Sequence, residues 1–335
     1  MKIYRALSQV PAHFGPSVVT IGNFDGVHCG HRQVLAQVIA RAAALQATPV
    51  AVTFDPHPGR VLAPERTRPL ITPLEEKLRL LQTTGISATL VLPFTPEFAG
   101  LSALEFAQQV LCHTLATREI HEGENFRLGC NAEADMAQLA SIGAALGFTV
   151  HAYPPRTARG DAISSSRIRT LIQGGQMHQA RALLGRPFAI ASTPARGRGY
   201  GTRYAVPTIN LAPYEELLPA HGVYVTTLTI GTGQAAKTFR AVTNVGNRPT
   251  FGADSFSVES HLLDFHPVDL SESTPLRLTF LKRLRGEIRW PSPEALKQQI
   301  GRDVDQAQRY FSLCQRLAPQ VLAPAAEQAS LQVSS

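Results

Sequence analysis

Two histidines three residues apart, His28 and His31, close the segment Gly22-Asn23-Phe24-Asp25-Gly26-Val27-His28-Cys29-Gly30-His31. Gly22, Gly26 and Gly30 allow backbone to approach a ligand closely. The segment links an apolar, β-branched run, SVVTIGNF (17–24), to a helical pattern from about His31 to Leu45. At a helix start the open amides and the dipole favour anions. Two imidazoles there can hydrogen-bond phosphate oxygens and stabilise charge that builds on a leaving pyrophosphate. A lone histidine beside a turn is usually a surface residue, but a glycine-spaced pair between a strand and a helix is poorly explained that way. Metal ligation is the weaker alternative, because no third ligand stands at suitable spacing. A Walker loop is excluded, since the chain has no Gly-Lys pair.

Ile163-Ser164-Ser165-Ser166-Arg167-Ile168-Arg169 offers hydroxyls and guanidinium groups at another helix start, a second anion cradle. Later, Gly197-Arg198-Gly199-Tyr200-Gly201 precedes Val206-Pro207-Thr208-Ile209-Asn210. A glycine-dense loop can lie over phosphates. Thr208 and Asn210 share one face of an extended strand, so both oxygens can point at one magnesium ion. Glu259 interrupts the apolar run of VESHLLDF (258–265), where a carboxylate needs a reason. It could accept the proton of a substrate hydroxyl. The plainer alternative is a rim ion pair with Arg248 or Arg285.

These groups need elements to position them. The first half alternates strand and helix patterns. Strands are predicted at 17–24, 48–54, 88–94, 118–123 and 148–153, and helices at about 31–45, from Thr72, 102–114 and 133–146. Thr72-Pro73-Leu74-Glu75-Glu76 reads as a capping Thr, Pro at the first position and acids in the first turn. This order implies an α/β fold, a parallel sheet with helices on both faces. Its ligands belong at the carboxyl ends of the strands. Two short helices, 164–174 and 177–184, lead to a boundary at Gly185-Arg186-Pro187. Beyond it come short β-rich segments separated by turn residues, which suggest an antiparallel barrel or sandwich. An amphipathic helix over 292–317 follows, carrying Leu296, Ile300 and Phe311. The Ala-, Gln- and Ser-rich tail 319–335 is expected to be disordered.

The 335 residues suit two domains, here 1–185 and 186–318. A net charge of +7 suits anionic partners. Lysine occurs only at 2, 77, 237, 282 and 297, and the arginines are scattered, which argues against a nucleic-acid patch. Cys29, Cys112, Cys130 and Cys314 lack zinc-ligand or CxxC spacing, so reduced thiols and a cytoplasmic location are expected. The N-terminus lacks the apolar core of a signal peptide, and no apolar run reaches membrane-spanning length.

GNFDGVHCGHR (22–32), TFDPHP (53–58), GENFRLG (123–129) and ISSSRIR (163–169) resemble, in order and spacing, the adenylyltransferase half of the bacterial bifunctional riboflavin kinase/FMN adenylyltransferase family. The resemblance implies a Rossmann-like nucleotidyltransferase fold. It implies that His28, His31 and Asn23 contact ATP phosphates, with Gly22, Phe24, Asp25, Gly26 and Gly30 in the same nucleotide loop. Ser164, Ser165 and Arg169 would contact the same triphosphate. Asp55, Pro56, His57, Pro58 and Asn125 would lie near the flavin. The segments from 186 to about 315 resemble the riboflavin kinase half, which implies a small six-stranded antiparallel Greek-key β-barrel with a C-terminal helix. There, Thr208 and Asn210 match a magnesium-ATP motif and Glu259 a catalytic base. Gly199, Gly201 and Pro207 would contact the nucleotide, and Arg248 the flavin. The implied partners are riboflavin, FMN and ATP, with Mg2+ as cofactor and neither nucleic acid nor membrane; the oligomeric state is left open.

The leading reading is therefore an enzyme that phosphorylates riboflavin and adenylylates FMN. A second is an FMN adenylyltransferase whose kinase domain is weak or inactive. Retention of Thr208, Asn210 and Glu259 argues against it, because a decayed site should lose its ionic residues first. A third, an RNA-binding or tRNA-charging protein, rests on the HxGH spacing and the basic charge, but no lysine-rich KMSKS-like loop and no aromatic-interleaved basic strand is present. A non-catalytic flavin sensor would leave two phosphate-handling sites surplus.

Overall fold

The computed structural model describes residues 1–195, 208–247, 256–264, 268 and 270–317. The chain forms two compact units that divide between Arg167 and Ile168.

The first unit is built on six parallel strands: β1 (Lys2–Tyr4), β2 (Ser17–Ile21), β3 (Thr48–Asp55), β4 (Ala88–Pro93), β5 (Thr117–Gly123) and β6 (Thr149–Tyr153). Their order is β1-β4-β3-β2-β5-β6. β2 is buried at every position and sits mid-sheet, which suits its β-branched residues and small buried hydroxyls, Ser17 and Thr20. Helices α1 (Cys29–Ala44), α2 (Pro58–Leu62), α3 (Leu74–Gln82), α4 (Pro96–Ala99), α5 (Ala103–Phe106) and α6 (Met136–Leu146) connect the strands, and a two-stranded hairpin, β7 (Thr157–Ala158) and β8 (Asp161–Ala162), follows β6. Two apolar cores flank the sheet. One gathers Val19, Val52, Leu90, Phe106 and Leu111, the other Val18, Leu35, Val38 and Leu81.

The local chemistry explains most boundaries. Ser102 and Glu105 close a reciprocal capping box at α5, which continues as a wider π-helix through Ala107–Thr114. Asp135 and Gln138 do the same for α6, which Gly147 ends in the left-handed conformation. At α3 the expected cap is corrected. Pro73 occupies the cap position, and Thr72 spends its hydroxyl accepting from the Gly26 amide at 2.9 Å.

In the second unit, α7 (Ser165–Gln173), which straddles the division, and α8 (Met177–Leu184) precede β9 (Phe188–Ser192), β10 (Thr208–Asn210), β11 (Gly222–Ile230), β12 (Lys237–Asn247), β13 (Phe256–Leu262), β14 (Leu276–Arg285) and α9 (Pro293–Leu317). The strands form one antiparallel sheet ordered β10-β13-β12-β11-β14-β9. Its two edges meet: Ala195 donates its amide to the Asn210 carbonyl, and Ala212 donates to that of Thr193, each at 2.8 Å. The sheet thus curls toward a barrel, with Tyr224, Leu228, Leu278 and Phe280 buried in it. Gly222, at φ +145°, is required where β11 bends, because a Cβ there would lie 2.2 Å from the Arg285 carbonyl oxygen. The opposite face of β11 and β12 buries Val223, Val225 and Val242 under Ala307 and Phe311 of α9. Asp303, 2% exposed, lies on that same stripe of α9. Leu296 and Ile300, expected along the apolar face, are exposed instead. The tail from 319 lies outside the described residues.

Candidate active sites

In the first unit, β2 and β5 are neighbours whose connections run to opposite sides of the sheet, so the switch point of an open α/β sheet falls between them. They pair only as far as Val19 and Ile120, then part. The crevice that opens there is a cavity of about 290 Å³. Gly22, Phe24, His28, Gly30, His31 and Asn125, all predicted from sequence, line it.

His28 caps α1 and is 5% exposed. Its Nδ1 accepts from the His31 backbone amide at 3.3 Å, which leaves the proton of the neutral ring on Nε2. The two imidazoles stack at 3.6 Å between centroids, and Phe24 meets His31 edge-on at 5.3 Å. A Cβ at Gly30 would lie 3.2 Å from the His28 ring, so glycine keeps the pair stacked. The loop before α1 is strained, with Phe24 at φ +46° and Val27 at φ +37°. Such cost is retained where the surrounding structure fixes the backbone for a purpose.

Of the other residues predicted for this site, Asp25 and Ser165 support the glycine loop. The buried Asp25 carboxylate accepts from the Ile71 and Thr72 amides at 3.2 and 3.0 Å, so it anchors the loop from behind. Ser165 donates its hydroxyl to the Asp25 carbonyl at 2.8 Å, which brings the serine cluster to the glycine loop. Ser164 accepts from the Arg167 amide at 3.3 Å and caps α7. Arg169 is buried on α7 within the second unit. Asn23 is exposed. Asp55 ends β3, and His57 caps α2 by accepting from the Gly59 amide at 3.0 Å. Residues Asp55, Pro56, His57 and Pro58 do not line this cavity.

Sequence reasoning missed two buried ionisable side chains here. Lys77 is 3% exposed and donates to Thr53 Oγ1 at 3.3 Å. Burial lowers its pKa, and the carboxylates of Asp25 and Asp55 oppose that shift, so one ammonium ties the GNFDG and TFDPHP segments together. Glu122, on the cavity wall, accepts from the Ile21 amide across the gap where β2 and β5 part. Burial raises its pKa well above the ordinary carboxylate value. Glu122 stands among Arg118, Glu119, His121 and Glu124, and Lys77 among Glu75, Glu76 and Arg79, so neither stood out in the sequence.

In the second unit the site is a row across strands. Asn210 of β10 faces Glu259 of β13, which faces Asn244 of β12; Thr208 faces His261 one step along the same face. Glu259 is half-buried, and its Oε1 accepts from Ser257 Oγ at 2.9 Å. Asn210 Oδ1 is shielded from solvent and has no hydrogen-bond partner among the described residues. An orphaned carbonyl oxygen, on the same strand face as Thr208, fits a hard, oxygen-seeking cation. Arg285, considered as a partner for Glu259, instead holds Asp303, with Nη2 2.9 Å and Nε 3.0 Å from Oδ2. Gly199, Gly201, Pro207 and Arg248 lie outside the described residues.

Fold and sites together define a Rossmann-like α/β domain, with an anion-suited crevice at its switch point, joined to an antiparallel barrel-like sheet that carries a carboxylate row. Residues 10–167 match the FAD synthetase family model and residues 184–311 the riboflavin kinase family model. The bifunctional riboflavin kinase/FMN adenylyltransferase of Pseudomonas fluorescens is 35% identical over 306 residues, covering 91% of this chain and 96% of its own. That of Escherichia coli K12 is 33% identical over 316 residues, covering 93% and 99%. The chain belongs to the bifunctional riboflavin kinase/FMN adenylyltransferase family. A crystal structure of a macrolide-efflux protein from Streptococcus pneumoniae is also similar, with TM-score 0.80, 26% identity and coverage of 91% of this chain and 98% of that one. No described helix of this chain is long and apolar enough to cross a membrane.

Proposed function

We propose that this chain makes FMN from riboflavin and ATP in residues 186–318, and FAD from FMN and ATP in residues 1–185. The observation that carries the second activity is the stacked His28–His31 pair at the mouth of α1, inside the switch-point cavity. The phosphate of FMN is already a nucleophile, so the site needs no strong base. It attacks the α-phosphorus of ATP in line, the bond to the β-phosphate oxygen breaks, and pyrophosphate leaves. Positioning and charge neutralisation supply most of the acceleration. His28 Nε2–H and His31 serve the charge on the departing phosphates, with Asn23, Ser164, Ser165 and Arg169 on the same triphosphate. Asn125, on the cavity wall, and the Asp55–Pro58 loop are assigned to the flavin.

For the kinase, Glu259 takes the proton of the riboflavin hydroxyl as that oxygen attacks the γ-phosphorus and ADP leaves. Thr208 and Asn210 would hold magnesium, which neutralises phosphate charge when bound. Support comes from the cross-strand register of Asn210 with Glu259 and from the orphaned Asn210 oxygen. Gly199, Gly201 and Pro207 are assigned to the nucleotide and Arg248 to the flavin, by resemblance. A soluble cytoplasmic location is part of the same reading. The test is to supply FMN, ATP and magnesium without riboflavin, and to follow FAD and pyrophosphate. Equimolar appearance of both supports adenylyl transfer, whereas ADP in place of pyrophosphate refutes it.

A further inference from the structure

On the face of β5 that carries alternate residues Glu119 and His121, the neighbouring strand β6 brings His151 into direct register with His121. Three potential ligand atoms from Glu119, His121 and His151 lie within 4.8 Å of one another. His121 Nε2 is 3.0 Å from Glu119 Oε2, and His151 Nε2 is 3.5 Å from the same oxygen. Donors about 2 Å from one tetrahedral ion stand roughly 3.3 Å apart, so these two separations bracket what an ion needs. The His151 nitrogen is shielded from solvent and has no hydrogen-bond partner among the described residues, an expensive state for a buried polar atom. The outer support of a metal site is present too. His121 Nδ1 lies 2.7 Å from the Tyr153 hydroxyl, the kind of contact that orients a ligating imidazole. Burial lowers the His121 pKa, which keeps that ring neutral, as a ligand must be.

We propose that Glu119, His121 and His151 form a site for one divalent transition-metal ion of the zinc class, separate from the magnesium-ATP chemistry. β6 is the edge strand, and the His151 side chain is 37% exposed, so an ion can enter from the sheet edge. Without an ion, Arg41 occupies the carboxylate, its Nε 2.9 Å from Glu119 Oε2. Arg41 is the competitor; its side chain is 43% exposed and can swing into solvent. On binding, the proton of His121 moves from Nε2 to Nδ1, which then donates to the Tyr153 oxygen, and Nε2 takes the metal. Two imidazoles and one carboxylate suit zinc, cobalt or nickel better than magnesium or calcium.

The test titrates Co2+ into the untagged, chelator-dialysed full-length chain and reads the visible d–d absorption, then displaces Co2+ with Zn2+. One equivalent with intense, low-coordinate bands is expected. His151→Ala should weaken binding at least about tenfold, and Tyr153→Phe about tenfold through the lost support. Arg41→Met should tighten binding by freeing the carboxylate, an outcome a merely structural ion network would not give. His151 is partly exposed, so its variant should keep the wild-type far-UV spectrum. Absence of a one-equivalent spectrum, a spectrum unchanged in His151→Ala, or weaker binding in Arg41→Met would each overturn the proposal. The readout needs no flavin, so it stands or falls independently of the catalytic assignments.

Discussion

The two phosphate-handling regions are built by opposite means. In the first unit the site is local: ten consecutive residues, Gly22 to His31, supply the loop, the stacked imidazoles and the helix mouth. In the second unit it is assembled across strands, where Asn210, Glu259 and Asn244 meet only through register. A local site borrows its field from a helix end that any strand-to-helix turn provides, and needs glycines to bring ligand close. A cross-strand site depends on the whole sheet, since a one-residue slip of β13 would turn Glu259 to the other face.

The contrast can be broken at either end. The largest effect should come from Glu259→Gln. Loss of the base should slow FMN formation by about 10²–10⁴-fold, while FAD synthesis from added FMN continues; equal loss of both activities refutes separate sites. His28→Ala should do the reverse, slowing FAD formation by roughly 10²–10³-fold with riboflavin phosphorylation intact, as measured by flavin chromatography. Next comes Asp303→Ala. It strands Arg285 and releases α9 from β14, at a cost of about 3 kcal/mol to the second unit. Thermal denaturation should show one transition lowered, with adenylyl transfer retained below it.

The smallest effects concern two glutamates of β5 with opposite pH signatures. Glu119 is held at a pKa of about 2, mainly by hydrogen bonding to Arg41. Its folded pKa lies below the unfolded value of about 4.3, so its contribution is present above that pH and is lost as pH falls toward 2. Glu119→Gln should therefore be less stable than the wild type at neutral pH, and the gap should close in acid. Glu122 has its pKa raised by burial. Its contribution is full below about 4.3 and is lost as pH rises through the folded value, so Glu122→Gln should gain on the wild type as pH rises. Melting temperatures across pH for the two variants check both signs.

What could be read in advance follows the same division. The GNFDGVHCGH loop was legible because its chemistry is contiguous, and capping at Ser102 and Asp135 obeyed local rules. Thr72 was misassigned because its hydroxyl serves a residue 46 positions away rather than its own helix. The apolar stripe of α9 was misplaced because Asp303 is buried by Arg285, a partner that periodicity does not reveal. Glu119, His121 and His151 were invisible as a group because only the β5–β6 register unites them. Glu259 was legible through its resemblance and its oddity in an apolar strand, whereas its facing partner Asn244 was not.

The most direct test supplies the full-length chain with riboflavin, ATP and magnesium, and resolves the flavins over time. FMN should rise first and FAD should follow at its expense, because the adenylyl-transfer site consumes the FMN that the kinase site makes. A chain that leaves riboflavin unaltered and also fails to convert added FMN contradicts the account.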